Sequence, residues 1–294
     1  MPEYPDLTLY LEHLDRRIVG HVLERVVIRQ TFLLRTAVPP LASVEKKRVT
    51  GLRRIGKRIV LALEGDLFLV LHLMVAGRLH WTDAGGKPPA RNAMATFAFE
   101  NGTLVFTEAG TKRRASLHVV EGEAALAAMD PGGIEVMHAT RDAFAERLRV
   151  ENHTLKRALA DPHLFAGIGN AYSDEILHRA KLSPVALSRS LSDGEVTRLF
   201  EATLAVLREW TQRLRAQAGA KFPEKVTAFH DEMAVHGRYG KPCPVCGSPV
   251  QRIRYAENET NYCARCQTGG RVLADRSLSR LLKGNWPRSI DELE

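Results

Sequence analysis

Apolar residues recur at helical spacing near the start of the chain. Within residues 6–19 they stand three or four positions apart, at Leu7, Tyr10, Leu11, Leu14 and Ile18. This is the pattern of an amphipathic helix that buries one face. Gly20 follows the last of these residues and is a typical helix stop. We therefore expect an N-terminal helix over residues 6–19.

Between about residues 22 and 120 the apolar pattern changes to that of β-strands. Short alternating or continuous apolar runs predict strands over residues 22–31, 58–64, 67–73, 94–100 and 103–107. The segments Glu64-Gly65-Asp66 and Asn101-Gly102 separate two pairs of these runs and are typical of hairpin turns. The pattern favours an antiparallel β-sandwich.

A helical half follows residues 130–133, Asp-Pro-Gly-Gly, whose composition is that of a linker. The apolar spacing beyond it predicts short helices over residues 142–150, 154–159 and 171–180. Asn170 follows a glycine-containing turn and is a good N-cap for the third of these helices.

Ser192 and Glu195 form a capping-box pattern that opens a long helix. We expect its buried side to carry Val196, Leu199, Phe200, Leu204, Leu207 and Trp210. Residues 216–235 mix glycine with polar and apolar residues, which predicts a mobile loop. Near the C-terminus, Asp275 is a candidate cap for a short helix that ends near Gly284.

Composition narrows the class of protein. The chain has 294 residues, enough for two domains with cores of their own. Its formal net charge of +8 favours a polyanionic partner such as nucleic acid. The most apolar stretch, residues 67–77, is too short to span a membrane, and the N-terminus has no signal-peptide pattern. We expect a cytoplasmic protein without a membrane partner.

All four cysteines stand in two CxxC pairs, Cys243 with Cys246 and Cys263 with Cys266, and 16 residues separate the pairs. This spacing is typical of a zinc ribbon, in which two turns aim four thiolates at one tetrahedral ion. Four thiolates leave no open coordination position, so the ion is structural. A redox dithiol is the alternative, but redox chemistry needs only one pair. With no cysteine left for a disulfide, a reducing compartment fits.

The start of the chain, Met1-Pro2-Glu3, offers chemistry of another kind. If Met1 is removed, Pro2 becomes a secondary amine with a pKa near that of an α-amino group, about two units below lysine. Such an amine can attack an aldehyde-like sugar carbon and form an iminium, which accepts electrons during elimination. Glu3 stands beside it as an acid and base for the sugar oxygen. Taken alone, the tripeptide is also an ordinary chain start.

Several segments, in this order, resemble the formamidopyrimidine-DNA glycosylase and endonuclease VIII family. They are MPEYPDLTLYLEHL, RRIGKRIVLAL, HLMVAGRL, LKRALADPHLFAGIGNAYSDEIL and PCPVCG…YCARCQ, and they run from residue 1 to about 267. The family excises oxidised bases from DNA and then cleaves the abasic strand by β- or β,δ-elimination. The resemblance implies an α+β protein with an N-terminal antiparallel β-sandwich, a helix-two-turn-helix domain and a C-terminal zinc ribbon.

The matching motifs imply roles for individual residues. Pro2 resembles the Schiff-base nucleophile and Glu3 the catalytic acid and base. Lys57, in RRIGK at the head of a strand, matches the lysine that contacts the phosphate beside the lesion and supports elimination. Asn170 resembles the phosphate-binding asparagine, at a helix start that suits an anion, and Lys156 is a second candidate phosphate contact. Without the resemblance, Lys57 would be a solvated lysine and Asn170 a plain helix cap.

A glycosylase takes its target base out of the stack, and the segments that would fill the gap depart from the family. The family inserts a methionine and an Arg–Phe pair, whereas Val75 stands here at the methionine position and Met74 one residue earlier. On a strand this shift would turn Met74 to the opposite face. Lys112, Arg113 and Arg114 occupy the Arg–Phe region without an aromatic residue and are candidate contacts to the DNA backbone or the orphaned base.

Two other positions and the tail also differ. Asp6 stands where the family usually has Glu, and Asn258 stands where the finger usually has a phosphate-binding arginine, between Glu257 and Glu259. Loss of one charge-assisted contact costs about 1.5–3 kcal/mol, so we expect β-elimination to dominate over δ-elimination. The tail, residues 268–294, would either contact DNA or, as we favour, form a capping helix solvated by Arg271, Arg276, Arg280 and Lys283.

The sequence therefore predicts a β-sandwich, a linker, a helix-two-turn-helix domain, a zinc finger and an extension, over residues 1–125, 126–140, 141–235, 236–267 and 268–294. We expect one structural zinc ion. The expected partner is damaged DNA, duplex or single-stranded, and the expected state is a monomer associated with a bacterial nucleoid.

The leading hypothesis for function is a DNA glycosylase with an associated lyase. A protein that binds damaged or unusual DNA without excision is the alternative, motivated by the altered wedge and finger. A zinc-ribbon protein associated with RNA or the ribosome is a third hypothesis. Pro2, Glu3 and Lys57 favour the enzyme, because binding alone has no use for a nucleophile at the terminus.

Overall fold

The computed structural model describes residues 1–110, 112–224, 226, 230–255, 258–274 and 287–292. By their contacts the residues fall into two compact units. The first comprises Met1–Pro131 and Trp210–Ala228, and the second comprises Gly132–Glu209 and Phe229–Glu294.

The first unit begins with helix α1, Tyr4–Ile18. Its buried side carries Leu7, Tyr10, Leu14 and Ile18, as predicted, and the fifth predicted residue, Leu11, is half-buried against the same core. The helix begins two residues earlier than predicted, because Glu3 is the N-cap. Pro5 is tolerated in the first turn, where backbone N–H groups have no partner inside the helix.

Eight antiparallel strands follow α1. They are β1 Val22–Ile28, β2 Lys47–Ile55, β3 Arg58–Leu63, β4 Leu67–His72, β5 Gly77–Asp83, β6 Ala93–Phe99, β7 Gly102–Glu108 and β8 Ser116–Glu121. Their order across the sheet is β5-β7-β6-β1-β2-β3-β4-β8. Sequential neighbours pair as hairpins at β2–β3, β3–β4 and β6–β7, as expected for short polar turns between apolar runs.

The sheet has two halves of four strands that share one core. The halves are joined by a short antiparallel ladder in which Val22 pairs with Arg48 and Leu23 with Lys47. Both halves and α1 contribute fully buried side chains to the main core, among them Leu14, Leu61, Leu69, Phe97, Phe106 and Leu117. This arrangement is the antiparallel β-sandwich that the apolar pattern predicts.

Strand β3 is covered on both faces. Ile59 and Leu61 point into the main core, whereas Val60 belongs to a second apolar cluster with Leu126 of helix α2, Glu123–Ala127. Successive side chains of a strand point to opposite faces. A strand buried on both sides shows a continuous apolar run, and this is why β3 and β4 are the most readily predicted strands.

The apolar pattern does not predict β2, β5, β8 or α2. Strand β2 carries four cationic residues, and β5 begins with glycine and mixes polar with aromatic residues. These segments become strands through their partners, since β2 pairs with β3 and β5 pairs with β7 along their lengths. Tertiary pairing therefore outweighs a weak local pattern.

The second unit contains helices α3, Arg141–Arg149, α4, Leu155–Ala160, and α5, Asn170–Ala180. Their bounds lie within one residue of those predicted. One expectation needs correction, because Asn170 is the first residue of α5 and Gly169 is its N-cap. The Gly169 carbonyl already accepts the Ser173 N–H at 3.2 Å, which is the first helical hydrogen bond.

Helix α6, Asp193–Ala218, supplies residues to both units. The predicted capping box is present, since the Ser192 N–H donates to Glu195 Oε2 at 2.9 Å and the Glu195 N–H donates to Ser192 Oγ at 3.4 Å. Of the residues predicted to face inward, Phe200 and Leu204 are half-buried and the others are buried. Neither α6 nor any other helix within the described ranges is long and apolar enough to cross a membrane.

Several described residues of the segment 216–235, for which the sequence predicts a mobile loop, pack against apolar neighbours. The Phe222 ring lies 5.8 Å from the Tyr10 ring, measured between centroids. Val226 is buried in the main core of the first unit. Met233 and Val235 are also buried. Apolar side chains thus anchor the segment at several points.

The finger consists of strands β9, Gln251–Tyr255, and β10, Asn258–Tyr262, followed by helix α7, Ala264–Thr268. The two strands form an antiparallel pair in which Tyr255 is opposite Asn258. A small core lies against this hairpin and is built from Ile253, Tyr262, Ala264, Val272, Leu273 and Ile290.

The described part of the C-terminal extension belongs to that small core. The Leu273 N–H donates to the Tyr262 hydroxyl at 2.7 Å, and Arg265 forms an ion pair of 2.8 Å with Asp291. Arg271 pairs with Ser289 in a short β-bridge. The predicted helix from Asp275 to Gly284 lies outside the described residues, together with Arg276, Arg280 and Lys283.

Candidate active site and zinc finger

The first turn of α1 fixes the start of the chain. Pro2 and Glu3 are both buried, and Glu3 is only 2% exposed. The Glu3 N–H donates to Asp6 Oδ2 at 2.9 Å, and the Glu3 carboxylate accepts the N–H of Asp6 in return. This reciprocal capping box holds two donors at the helix start. It thereby fixes the direction in which Pro2 leaves the helix.

The charge balance around the terminus favours a neutral amine. The chain carries its α-amino group on Met1, and burial lowers the pKa of that group. The cations of Arg78 and Lys57 lower it further, whereas the carboxylates of Glu3 and Asp6 oppose them. With Met1 in place the nitrogen of Pro2 is an amide, so nucleophilic chemistry at Pro2 requires removal of Met1.

Lys57 lies in the two-residue turn between β2 and β3. Ile55 pairs with Arg58 across this turn, and Gly56 has a φ of +56°, which a residue with a side chain rarely adopts. The sequence places Lys57 at the head of a strand, and the structure puts it one residue before β3. Its side chain is half-buried and acts electrostatically on both the terminal amine and His72.

His72 ends β4 beside this group and is not among the predicted site residues. Burial, with help from Arg58 and Lys57, lowers the pKa of His72 to about 4. The ring is therefore neutral at physiological pH. Its Nε2 atom is buried and has no hydrogen-bond partner among the described residues. The resulting cluster is cationic through Lys57 and Arg58 and polar through His72.

The segment after β4 is a turn and not a strand, which corrects our interpretation of Met74 and Val75. The Gly77 N–H donates to the Leu73 carbonyl at 2.9 Å and closes the turn. A Cβ atom at Gly77 would lie 2.1 Å from that oxygen, so the turn requires glycine. Met74 adopts a φ of +53°, and Val75 is 61% exposed. Strand alternation therefore does not decide which side chain points outward here.

Glu108 organises the loop that carries the candidate DNA-contacting arginines. Its carboxylate is buried and accepts the N–H groups of Arg114 at 3.0 Å and Ala115 at 3.2 Å. The side chains of Arg113 and Arg114 are exposed. A buried acid thus holds the loop backbone while the arginines remain at the surface.

Lys156 is a buried residue of α4 that bonds to the start of α5. Only 7% of its side chain is exposed, and its Nζ donates to Asp174 Oδ1 at 2.6 Å and also to the backbone carbonyl of Asn170. The side chain of Asn170 is half-buried at the first helical position. Lys156 therefore supports the residue that we predict as a phosphate contact.

Asp174 and Glu175 connect α5 to the finger within the second unit. Asp174 Oδ2 accepts His236 Nδ1 at 2.8 Å and the Asn261 N–H at 3.2 Å. Glu175 accepts the backbone N–H groups of residues 234, 235 and 236 at 2.8 to 2.9 Å. Burial raises the pKa of Glu175, and these three donors oppose the rise. The two acids hold both the segment before the finger and strand β10.

The four cysteines converge at the base of the finger. The Sγ atoms of Cys243, Cys246, Cys263 and Cys266 all lie within 4.8 Å of one another. Four sulfurs bound to one tetrahedral zinc ion would be about 3.8 Å apart, so the donor set fits a single structural ion. Among the described residues, these four cysteines are the one cluster of His, Cys, Asp or Glu side chains whose ligand atoms lie close enough together to hold a metal ion. The prediction of a four-cysteine zinc site is confirmed.

Asn258 stands at the start of β10 and is exposed. Its neighbour Glu259 is drawn towards Arg252, with 3.8 Å between the charged atoms. Glu257, the other acid that flanks Asn258, lies outside the described residues. The exposed residue at the start of β10 is therefore an uncharged amide, Asn258, and not an arginine.

Three family models match the chain in succession. The formamidopyrimidine-DNA glycosylase N-terminal domain matches residues 1–114, its H2TH domain matches residues 129–217, and the zinc finger found in FPG and IleRS matches residues 240–269. A curated formamidopyrimidine-DNA glycosylase of Thermus thermophilus is 33% identical over 279 residues, which cover 92% of this chain and all of that protein.

The chain belongs to the formamidopyrimidine-DNA glycosylase family.

Solved structures share the fold of this glycosylase. The crystal structure of the MutM (FPG) protein from Thermus thermophilus has a TM-score of 0.76 and 32% identity, covering 90% of this chain and 98% of that one. A Lactococcus lactis FPG in complex with Fapy-dG-containing DNA has a TM-score of 0.79 and 23% identity, covering 90% of this chain and all of that one. The second likeness is one of fold alone.

The site of this glycosylase includes residues that sequence reasoning missed. Arg78 acts electrostatically on the terminal amine, and Lys57 acts electrostatically on His72. On α5, Asp174 and His178 follow Asn170 at intervals of four residues, which places all three on one side of a helix. Polar residues at that spacing in a buried helix are the signal that would have indicated Asp174 and His178.

Proposed function

We propose that this DNA glycosylase excises oxidised bases in base excision repair and then cleaves the abasic strand, with Pro2 as its nucleophile. The environment of the chain start carries the proposal. Burial together with Arg78 and Lys57 lowers the pKa of the α-amino group, and the Glu3 carboxylate lies beside it. Removal of Met1 moves the free amine to Pro2, which is buried next to Glu3 in the chain, and an α-amine that adjoins a carboxylate suits imine formation.

The proposed reaction begins once Met1 has been removed. The lone pair of Pro2 attacks C1′ of the damaged nucleotide, a C–N bond forms, and the base leaves with the electron pair of the glycosidic bond and takes up the proton that the Pro2 nitrogen releases. Glu3 protonates O4′ as the sugar ring opens, which gives an iminium. Loss of a C2′ proton converts the iminium to an enamine, and the enamine expels the 3′ phosphate in β-elimination.

Two residues are proposed to hold the phosphates. Lys57 offers an ammonium group on a rigid glycine turn beside the terminus. Asn170 stands at the first position of α5, where backbone N–H groups and the helix dipole favour an anion. The Gly56 turn positions Lys57, and the start of α5 after Gly169 positions Asn170.

For Lys156 we propose an indirect role. Its Nζ is already bonded to Asp174 and to the Asn170 carbonyl, and the side chain is almost fully buried. A direct phosphate contact would have to break a buried ion pair, which costs about 3–5 kcal/mol. Lys156 therefore supports DNA binding by holding Asn170 in place.

Arg113, Arg114 and Asn258 are proposed as outer DNA contacts. The two arginines are exposed on the loop that Glu108 organises, where they can reach phosphates or the orphaned base. Asn258 contributes a hydrogen bond without charge. Because the positive charge is missing at that position, we propose that β-elimination dominates.

The zinc ion is structural in this proposal. Cys243, Cys246, Cys263 and Cys266 would hold it, and it would fix the turns that carry the hairpin of the finger. The partner is DNA. We further propose that the protein acts as a monomer on damaged duplex or single-stranded DNA in the bacterial cytoplasm. The proposed domains are a β-sandwich, a linker, a helix-two-turn-helix domain, a zinc finger and an extension, over residues 1–125, 126–140, 141–235, 236–267 and 268–294.

A DNA-binding protein without excision is the second candidate. Val75 is exposed at the tip of the β4–β5 turn, where a longer methionine would reach further, and the loop before Ala115 carries no aromatic residue. A poor wedge would reduce base extrusion while leaving contacts to the backbone intact. The two candidates differ in the role of Pro2 and Glu3: the enzyme requires both for base release, whereas a binding protein requires neither.

The test is a panel of oligonucleotides that differ only in one oxidised purine or pyrimidine, each in single- and double-stranded form. The protein is first shown by mass spectrometry to begin at Pro2. The enzyme predicts base release from at least one substrate and its loss in Glu3→Gln, which removes a general acid worth about 10²–10⁴ in rate. Tight binding that Pro2→Gly and Glu3→Gln leave unchanged, with no release from any substrate, would favour the binding protein.

A further inference from the structure

His178 on α5 contacts one of the zinc-binding sulfurs. The distance from its Nε2 atom to Cys243 Sγ is 3.3 Å. His178 is 6% exposed and Cys243 is 3% exposed, so water does not compete for this contact. The two residues are 65 positions apart in the chain. Helix α5 therefore reaches the metal site directly.

The chemistry of a bound thiolate decides the direction of this hydrogen bond. Zinc binds cysteine as the thiolate, which has no hydrogen to donate. The hydrogen between the two atoms must then be on Nε2 of His178. A donor to a metal-bound sulfur withdraws negative charge from it and fixes its orientation, in the same way as other outer partners of metal ligands.

The hydrogen-bond donor to the Cys243 sulfur comes from a different part of the chain than the donors to Cys246 and Cys263. Cys246 receives hydrogen bonds from the backbone and side chain of Ser248, and Cys263 receives one from the backbone of Cys266. Those donors lie inside the finger. The donor to Cys243 comes from a helix outside the finger.

Other contacts of α5 surround this one. Asp174 holds the N–H of Asn261 on β10, and Glu175 holds the backbone immediately before the finger. Val235 of that backbone packs with Cys243, Val250 and Cys263 in one small apolar cluster. Along α5, Asp174, Glu175 and His178 thus bond in turn to the finger or to the backbone that leads into it, and His178 is the last of the three.

We propose that His178 is a positioning residue of the zinc site, donating from Nε2 to the Cys243 thiolate and so tying the finger to α5. Neither its contact nor its chemistry depends on the glycosylase reaction. The sequence motif of the zinc site, two CxxC pairs, contains no sign of it. His178 would then belong to the zinc site through its hydrogen bond to Cys243, while the four cysteines remain the only ligands of the ion.

The test compares three proteins loaded with zinc: the original chain, His178→Gln and His178→Phe. Gln keeps an N–H donor, whereas Phe fills the space without one. Release of zinc to a chromogenic chelator is measured for each, alongside thermal unfolding. We expect His178→Phe to lose zinc about 10- to 100-fold more readily, and His178→Gln to restore most of the retention. Exposed His138 on the same unit gives the matched control, His138→Phe.

Cobalt substitution gives a readout that folding alone would not move. A hydrogen bond stabilises the sulfur electrons, so the thiolate-to-cobalt charge-transfer band should move to lower energy in His178→Phe and return in His178→Gln. Equal zinc release and an unshifted band in all three proteins would overturn the proposal. If His178→Phe does not fold, an unshifted band in His178→Gln together with a shifted band in His178→Ala would support it, and no shift in either would overturn it.

Discussion

Glu3 and Asp6 cap each other: the Glu3 N–H lies 2.9 Å from Asp6 Oδ2, and the Glu3 carboxylate accepts the Asp6 N–H. The same carboxylate is the proposed acid and base, so one side chain serves both the helix start and the chemistry. The position of the nucleophile then depends on a capping box. The short side chain of Asp6 is long enough to close the box.

The first prediction concerns Asp6. Asp6→Ala removes the acceptor for the Glu3 N–H, and loss of such a cap costs about 0.5–2 kcal/mol of stability. Because the terminus is then less well fixed, we expect base excision to slow by roughly 10- to 100-fold. Single-turnover excision and urea unfolding measure the two effects. Asp6→Asn is the control, since its amide oxygen still accepts, and equal loss of rate in both variants would contradict the capping role.

The second prediction concerns the pH dependence of imine formation. Arg78 and Lys57 lower the pKa of the α-amino group because a nearby cation disfavours the protonated amine. Arg78→Gln removes one cation, so the pKa of the amine should rise and a smaller fraction should be neutral at a given pH. The midpoint of the trapping rate against pH should therefore move to higher pH.

Arg78 also closes the β4–β5 turn through the carbonyls of Val75 and Gly77. Arg78→Lys is therefore the matched control, because it keeps the charge and loses the forked geometry. We expect its midpoint to stay with that of the original chain. A shift in Arg78→Lys equal to that in Arg78→Gln would assign the effect to the turn and not to charge.

The fold was predictable where the local pattern is strong. Helix α1, strands β3 and β4 and the capping box of α6 follow directly from spacing and cap residues. Strand β2 was not predictable in this way, because its cationic residues hide the alternation and its place depends on pairing with β3. The packing of Phe222 and Val226 was also missed, since only tertiary contact distinguishes such a segment from a loop.

The candidate site divides in the same way. The cysteines, Pro2 and Glu3 are recognisable because their chemistry depends on spacing or on position in the chain. Arg78 and His72 are not, because Arg78 acts on the terminal amine, and Lys57 acts on His72, only through strands brought together by the sheet. The burial of Lys156 is likewise invisible in the sequence, where it stands between residues typical of any helix start.

The third prediction separates two roles for Lys156. If it acts by supporting Asn170, Lys156→Met should destabilise the protein by about 3–5 kcal/mol, because Asp174 loses the partner of a buried ion pair. The dependence of DNA binding on salt should keep its slope. A direct phosphate contact would instead reduce the slope by about one. Arg157→Met, an exposed charge on the same helix, is the control for the change in net charge.

The fourth prediction concerns Asn258. Asn258→Arg restores a positive charge at the exposed start of β10, so the slope of log affinity against log salt should steepen by about one. If that charge also stabilises the second leaving phosphate, the ratio of δ- to β-elimination product should rise. Product sizes on a sequencing gel measure the ratio. Asn258→Gln, which changes length without charge, should leave both quantities unchanged, and a matching change in that variant would contradict the charge argument.

The most direct test of the account is borohydride trapping on abasic DNA, with protein whose N-terminus is verified. Chain that begins at Pro2 should form a covalent complex, and peptide mapping should place the sugar remnant on the nitrogen of Pro2. Chain that retains Met1 should give no adduct on Pro2 and a lower yield of complex, because its Pro2 nitrogen is an amide. A complex of equal yield from both forms, or a remnant mapped to a lysine, would contradict the assignment of Pro2 as the nucleophile.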